Sequence, residues 1–156
     1  MNFHLIAAEV KDCRKIHEMQ VASFQDLLAK YRDPETNPGA ESLGKTIQRF
    51  LDPSIQYWLI QLEGRTIGAV RIRSDGRMCE LKQIFLLPEY QGYGYAQMAI
   101  VAAENLYPDA KIWRLDTILQ EDKLCYLYEK LGYRKTGEYR HIKDGMDLIF
   151  YEKVCT

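Results

Sequence analysis

A chain of 156 residues, 47% hydrophobic and 28% charged, has the make-up of one packed domain spanning residues 1–156 rather than a disordered tail or a two-domain assembly. Its 21 basic and 22 acidic residues leave a net charge of −1, which excludes bulk electrostatic attraction to nucleic acid or an anionic membrane. No run approaches the ~20 apolar residues of a spanning helix, and no secretory signal precedes Glu9 and Lys11, so a cytoplasmic location is expected.

Residues 3–9 read as a short first strand. Asp12 is an N-cap candidate for a helix running to about Lys30, with Ile16, Met19, Phe24, Leu27 and Leu28 near helical spacing. The breaker-rich segment 33–39 follows, then a short helix over about 41–51 that stops before Pro53. Three strands come next, at 56–62, 66–73 and 78–87, joined by turns at 63–65 and 74–77 as an antiparallel meander. In the second of them Val70 and Ile72 alternate with Arg71 and Arg73, which predicts one buried and one polar face. A helix over 95–107, a strand over 111–117 and a helix over 122–131 follow, the last closed by Gly132. Strands at 134–140 and 146–152 flank a turn at 142–145. The order βααβββαβαββ predicts an α/β domain with a mixed central sheet and helices on both faces.

The most informative segment is Ile84-Phe85-Leu86-Leu87-Pro88-Glu89-Tyr90-Gln91-Gly92-Tyr93-Gly94-Tyr95-Ala96. An apolar strand feeds a glycine-bearing loop that opens onto a helix. Such a junction aims backbone N–H groups and the positive helix end at one place, which suits a pyrophosphate. Gly92 and Gly94 permit close approach of the backbone, and Ala96 is small. The segment lacks the Lys-Ser/Thr pair of a P-loop and is not G-x-G-x-x-G. An ordinary strand–helix turn with two glycines is the plain alternative.

This segment resembles the phosphate loop of the GNAT superfamily of acyl-CoA N-acyltransferases, Gln/Arg-x-x-Gly-x-Gly/Ala, with Gln91, Gly94 and Ala96 in register. Leu127-Tyr128-Glu129-Lys130-Leu131-Gly132-Tyr133 is similar to the family's second signature, a helix carrying a tyrosine and ending at Gly-Phe or Gly-Tyr. The element order matches the family fold over essentially the whole chain. The resemblance implies an N-acetyltransferase that uses acetyl-CoA as cosubstrate and acts on a primary amine of a small molecule or peptide by direct attack. A non-enzymatic acyl-CoA sensor on the same fold is the alternative, and a homodimer is compatible with either.

By resemblance, Ile84, Phe85 and Leu86 hold the pantetheine arm through their backbone, with the N–H of Leu86 as oxyanion donor. Gln91, Gly92, Tyr93, Gly94, Tyr95 and Ala96 form the phosphate loop. Tyr128 is the candidate general acid, its alternative being a core aromatic on the face shared by Leu124, Leu127 and Leu131. Glu80, eleven residues before Gln91, is the candidate general base, its alternative being a strand carboxylate paired with Lys82 or Arg71. The chain departs from the family where many relatives carry a basic loop residue. That position is Tyr93, and residues 88–110 contain no Lys or Arg. Lys123 and Lys130 are substitutes for the 3′-phosphate contact, or simply solvated helix charges. Glu121 stands where the family often has Asn. The loop between the first two helices, with Tyr31, Asp33, Glu35 and Asn37, is expected to frame the acceptor. His4, His17 and His141 are isolated. Cys13, Cys79, Cys125 and Cys155 show neither C-x-x-C pairing nor zinc spacing, so structural thiols and no metal site are expected.

Overall fold

The computed structural model describes residues 1–155. Its elements run β1 (Phe3–Ala7), α1 (Cys13–Ser23), α2 (Gln25–Tyr31), α3 (Leu43–Phe50), β2 (Ile55–Leu62), β3 (Arg65–Ser74), β4 (Met78–Leu86), α4 (Tyr95–Leu106), β5 (Ile112–Ile118), α5 (Asp122–Lys130), β6 (Arg134–Lys143) and β7 (Met146–Val154). The strands form one seven-stranded sheet in the order β1-β2-β3-β4-β5-β7-β6. Its pairs are antiparallel except β4–β5. No helix among the described residues is long and apolar enough to cross a membrane.

The helix expected over 12–30 is broken at Phe24, whose φ of −103° and ψ of 6° leave the helical region, so three helices precede β2. The break lets the Phe24 ring pack edge-on against Phe85 of β4, 6.1 Å between centroids. Asp12 stands at the cap of α1, but its carboxylate accepts from the Glu9 N–H (2.8 Å) and closes the preceding 3-10 turn instead. Gly132 does end α5: it takes φ +98°, and the Tyr133 N–H reaches back to the Tyr128 carbonyl (3.0 Å).

The core has two layers. On one face α4 and α5 cover Ile67, Val70, Ile72, Trp113, Leu115 and Tyr151. On the other α1–α3 cover Tyr57, Leu59, Ala69 and Phe85, with Ile16 and Met19 filling the layer. Each large apolar side chain so buried contributes ~1.5–3 kcal/mol. Arg71, expected on a polar face, is only 8% exposed. The alternation in β3 is real, but a mid-sheet strand with helices on both sides has no solvent face. Nearby, Glu41 accepts a two-pronged pair from Arg49 at 2.8 and 2.9 Å. Arg71 Nε and Nη1 have no partner among the described residues.

The sheet opens along β4. The pairing of β4 with β5 covers only Met78↔Ile112, Cys79↔Trp113 and Glu80↔Arg114, after which the strands part into a fork. The ladder of β4 with β3 skips Lys82, passing from Ile72↔Leu81 to Arg71↔Gln83, a bulge of the kind that bends a strand.

Candidate active site

Past the fork, β4 keeps one neighbour and has one free edge. The Leu87 N–H donates to Ile67 O (2.8 Å), which sets the alternation: Phe85 and Leu87 turn their backbone groups to β3, whereas Ile84 and Leu86 turn theirs into the fork. Leu86 O accepts from the Gln91 side chain (2.9 Å), so the first residue of the expected phosphate motif ties the loop to the strand it follows. Gly68 of β3 makes the close approach here possible. An ideal Cβ on it would lie 2.1 Å from Phe85 O.

The loop leads from the open end of the fork into α4. Gly92 and Gly94 take φ of +84° and +85°, in the left-handed region, and a Cβ on either would meet nothing within 4 Å. The backbone N–H groups of Gly92 through Gln97 have no acceptor among the described residues, and α4 has no side-chain cap. A run of unpaired donors at a positive helix end fits a diphosphate without a basic side chain. Tyr93 is 69% exposed. Tyr95 lies between the rings of Tyr93 (5.8 Å) and Phe3 (5.9 Å), which steadies the first turn of α4.

Tyr128 of α5 lies in the apolar cluster that contains Leu81 and Leu86 of β4 and Leu115 of β5. Three buried tyrosines meet here, with Tyr128 6.1 Å from the Tyr133 ring and 6.2 Å from that of Tyr151. Tyr133 donates to Glu104 (2.8 Å) and Tyr151 to Glu129 (2.6 Å), both as core tyrosines do. The Tyr128 hydroxyl alone of the three has no partner among the described residues. Burial, then the nearby Asp116 charge, pushes its pKa well above the ordinary phenol range, so it is a proton carrier at neutral pH.

Glu80 sits at the closed end of the fork, with its carboxylate 3.4 Å from Lys82 Nζ. It lines a groove of about 390 Å3 on the sheet face that α1–α3 leave uncovered, together with Lys82, Arg114, Asp116, Glu138 and Glu152. Tyr128 does not line that groove, so the two expected catalytic residues lie on opposite faces of the sheet and face a common space only through the fork.

Other expected residues fall elsewhere. Tyr31, Asp33 and Asn37 are buried, at 7%, 3% and 3% exposure. Asp33 and Asn37 bond within their own loop, Asn37 Nδ2 to Asp33 Oδ1 at 3.1 Å and the Gly39 N–H to Asn37 Oδ1 at 2.8 Å, so they brace it. Glu121, in the Asn position of the family, accepts from Tyr31 Oη and from Lys30 Nζ (2.6 Å). Lys143 Nζ donates to Tyr31 O (2.7 Å), so α2, the start of α5 and the β6–β7 turn meet at Tyr31. Lys123 and Lys130 are exposed on α5. Cys79 and Cys125 are buried, and burial pushes the Cys79 thiol up, away from thiolate chemistry. The sequence reading missed Asp116, Gly68 and the Glu121 junction. The first two depend on strand register, and the third links residues 90 and 91 positions apart.

Comparison with known proteins places this geometry. The profile of the acetyltransferase (GNAT) family matches residues 15–133. An uncharacterised N-acetyltransferase of Escherichia coli (strain K12), YjgM, is 30% identical over 98 residues, which span 59% of this chain and 59% of that protein. A chimera of the Vibrio cholerae spermidine N-acetyltransferase SpeG with hSSAT superposes with a TM-score of 0.77 at 21% identity, covering 99% of this chain and 96% of that one. The PaiA N-acetyltransferase of Thermoplasma acidophilum, solved in complex with coenzyme A, superposes with a TM-score of 0.72 at 18% identity over 99% and 100% of the two chains. The match of the profile across most of the chain, on a fold shared nearly end to end, makes this protein a member of the acetyltransferase (GNAT) family.

Proposed function

We propose that this chain is a cytoplasmic N-acetyltransferase that moves an acetyl group from acetyl-CoA to a primary amine of a small molecule or peptide, by direct attack in a ternary complex. The observation that carries the reading is the free inner edge of β4 running straight into unpaired N–H groups from Gly92 to Gln97. An arm bearing amides can pair with such an edge as an added strand does, and a diphosphate can sit on such a loop. The coenzyme A complex of the Thermoplasma neighbour supports the same use of the fold.

Each residue then has a task. Ile84, Phe85 and Leu86 present the strand, while Gln91 holds the loop against Leu86. Gly92, Tyr93, Gly94, Tyr95 and Ala96 form the anion cradle. The resemblance points to the N–H of Leu86 as oxyanion donor, and the strand alternation offers that of Ile84 as a second, closer to the fork. Tyr128, protonated and uncommitted, gives its proton to the departing sulfur. A groove carboxylate receives the acceptor's ammonium, and Glu80 is the one to which the resemblance points.

The uncommitted Tyr128 hydroxyl favours an enzyme over a sensor. Two measurements test this. Acetyl-CoA, but not ATP or NAD, should raise the melting temperature, because ligand at about a hundred times its Kd adds ~2.7 kcal/mol. Thiol release from acetyl-CoA should then depend on an added amine from a library. No thermal shift at millimolar acetyl-CoA refutes the reading, whereas a shift without thiol release for any amine leaves the sensor.

A further inference from the structure

We propose that Asp116, on the β5 wall of the fork, is the carboxylate that takes the proton from the acceptor's ammonium. This rests on the acetyltransferase reading above and assigns within it a residue that the sequence did not single out.

Strand register places the candidates. Glu80 belongs to the last closed pair, opposite Arg114. Asp116 is the next residue of β5 on the same face, so at about 3.3 Å per residue it stands about 7 Å further into the fork. The same rise puts Ile84 about 13 Å and Leu86 about 20 Å beyond Glu80 along β4. By the same count Asp116 falls about 7 Å short of Ile84 and about 13 Å short of Leu86 along the strands, which makes it the nearer of the two carboxylates to a carbonyl held by either N–H.

Pairing points the same way. Glu80 is held by Lys82 at 3.4 Å, and Glu152 by Arg114 at 2.9 Å. The Asp116 carboxylate has no hydrogen bond or ion pair among the described residues, and Glu138, the other unpaired acid of the groove, is out on the edge strand β6. Asp116 is exposed to solvent on the groove side. The protein packed around it still removes part of its hydration, which pushes its pKa up against the pull of Lys82 and Arg140, and the Glu80 charge adds to the rise. A carboxylate so raised is a better base than an ordinary one. Its charge also reaches Tyr128 on the other side of the sheet, helping to keep that hydroxyl protonated.

The chemistry balances. Asp116 takes one proton from the ammonium, and the freed nitrogen lone pair makes the C–N bond as the C–S bond breaks. Tyr128 gives its hydroxyl proton to the sulfur. The nitrogen, once acylated, gives up its second proton through solvent to the Tyr128 oxygen, and Asp116 releases its own proton to bulk water, which restores both groups and leaves one net proton in solution.

The test uses two nucleophiles with the full chain and acetyl-CoA. Butylamine is protonated at pH 7, as lysine is. Hydroxylamine is already mostly uncharged at that pH, so no proton has to be removed before it attacks. Asp116→Asn should lose about 10²-fold or more in kcat/KM with butylamine at pH 7, and the deficit should shrink towards pH 9. Its rate with hydroxylamine and its thermal shift with acetyl-CoA should stay near wild type. Asp116→Glu should recover part of the loss, and Glu80→Gln should lose less than Asp116→Asn. A carboxyl NMR titration of the wild type, without ligand, should find Asp116 above the ordinary Asp range. Wild-type butylamine rates in Asp116→Asn, equal losses with both nucleophiles, or an ordinary Asp116 titration would each overturn the proposal while the acetyltransferase reading stands. A wild-type chain with no acetyl-CoA shift, or with no thiol release for these nucleophiles or any amine of the library, would sink that reading and the proposal with it.

Discussion

Gly68→Ala is the substitution whose consequence is dictated most directly by the geometry. Alanine suits a strand better than glycine, and on backbone entropy alone the change should stabilise by ~0.5–1 kcal/mol. At Gly68, however, an ideal Cβ lies 2.1 Å from Phe85 O and 3.0 Å from Leu86 Cα, whereas ordinary contact begins at 3.4 Å. The obstacle is backbone, so no side chain can swing away, and β3 and β4 must part locally by about 1 Å. Overpacking of this kind costs ~1–3 kcal/mol. Stretching ladder bonds such as Leu87 N–H to Ile67 O (2.8 Å) adds ~1 kcal/mol for each one lost. The net expectation is a loss of about 2–3 kcal/mol, or a melting temperature lower by about 5–10 °C for a chain of this size. The strand displaced is the one that presents Phe85 and Leu86, so the acetyl-CoA thermal shift should shrink as well. Urea unfolding and thermal scans, with and without acetyl-CoA, read both effects. Gly44→Ala is the control: its nearest neighbour is Ser42 Oγ at 3.6 Å, and a helix position gains from alanine. A Gly68→Ala protein as stable as wild type, with an unchanged acetyl-CoA shift, would refute the steric argument.

Gly94→Val should abolish the acetyl-CoA thermal shift while circular dichroism still reports a folded chain, because a β-branched residue resists φ +85° and its side chain enters the space the donors face. Tyr128→Phe should lower kcat by ~10²–10⁴-fold at unchanged acetyl-CoA affinity, measured by single-turnover kinetics and calorimetry. Glu41→Gln should cost about 2–3 kcal/mol in urea unfolding, because it strands the Arg49 guanidinium beside the already unpaired Arg71. Burial works against the Glu41 charge, yet the Arg49 pair prevails and holds the carboxyl below its ordinary 4.5. The unfolded chain therefore binds the proton more readily, and the stability Glu41 confers, full above that value, is lost as pH falls through the folded pKa. Glu41→Gln should lack that acid-side loss.

Elements with strong local signals were legible within a residue or two. The β2–β4 meander, the strand–loop–helix of residues 84–96 and the Gly132 stop all rest on neighbours in sequence. Phe24 was not legible as a break, because helical spacing continues through it and the ring contact that accompanies the break is to Phe85, far along the chain. The burial of Arg71 was not legible, because alternation marks two faces without saying whether the second is covered. In the site, the loop and Tyr128 could be found from motifs. The groove could not, since Glu80, Arg114, Asp116, Glu138 and Glu152 come from four strands brought together by register alone.

The register explains why the site is where it is. A sheet with helices on both faces hides its backbone groups by pairing them, and unpaired interior edges are normally covered. Here β4 is apolar through Ile84, Phe85 and Leu86, as a central strand should be, yet beyond Glu80 it has no partner on the β5 side. The bulge at Lys82 begins the divergence, and the helices α4 and α5 fill one face while α1–α3 stop short of β5, β7 and β6 on the other. One face of the fork is thus walled by Tyr128 and its apolar cluster, the other opens on a charged groove, and the strand end delivers the chain into the Gly92–Gln97 donors. On the proposed reading a long cosubstrate, with amides in its arm and phosphates at its tail, enters from the first side. The ammonium enters from the second, and the two sides meet at the gap in the ladder, with Asp116 at its β5 wall.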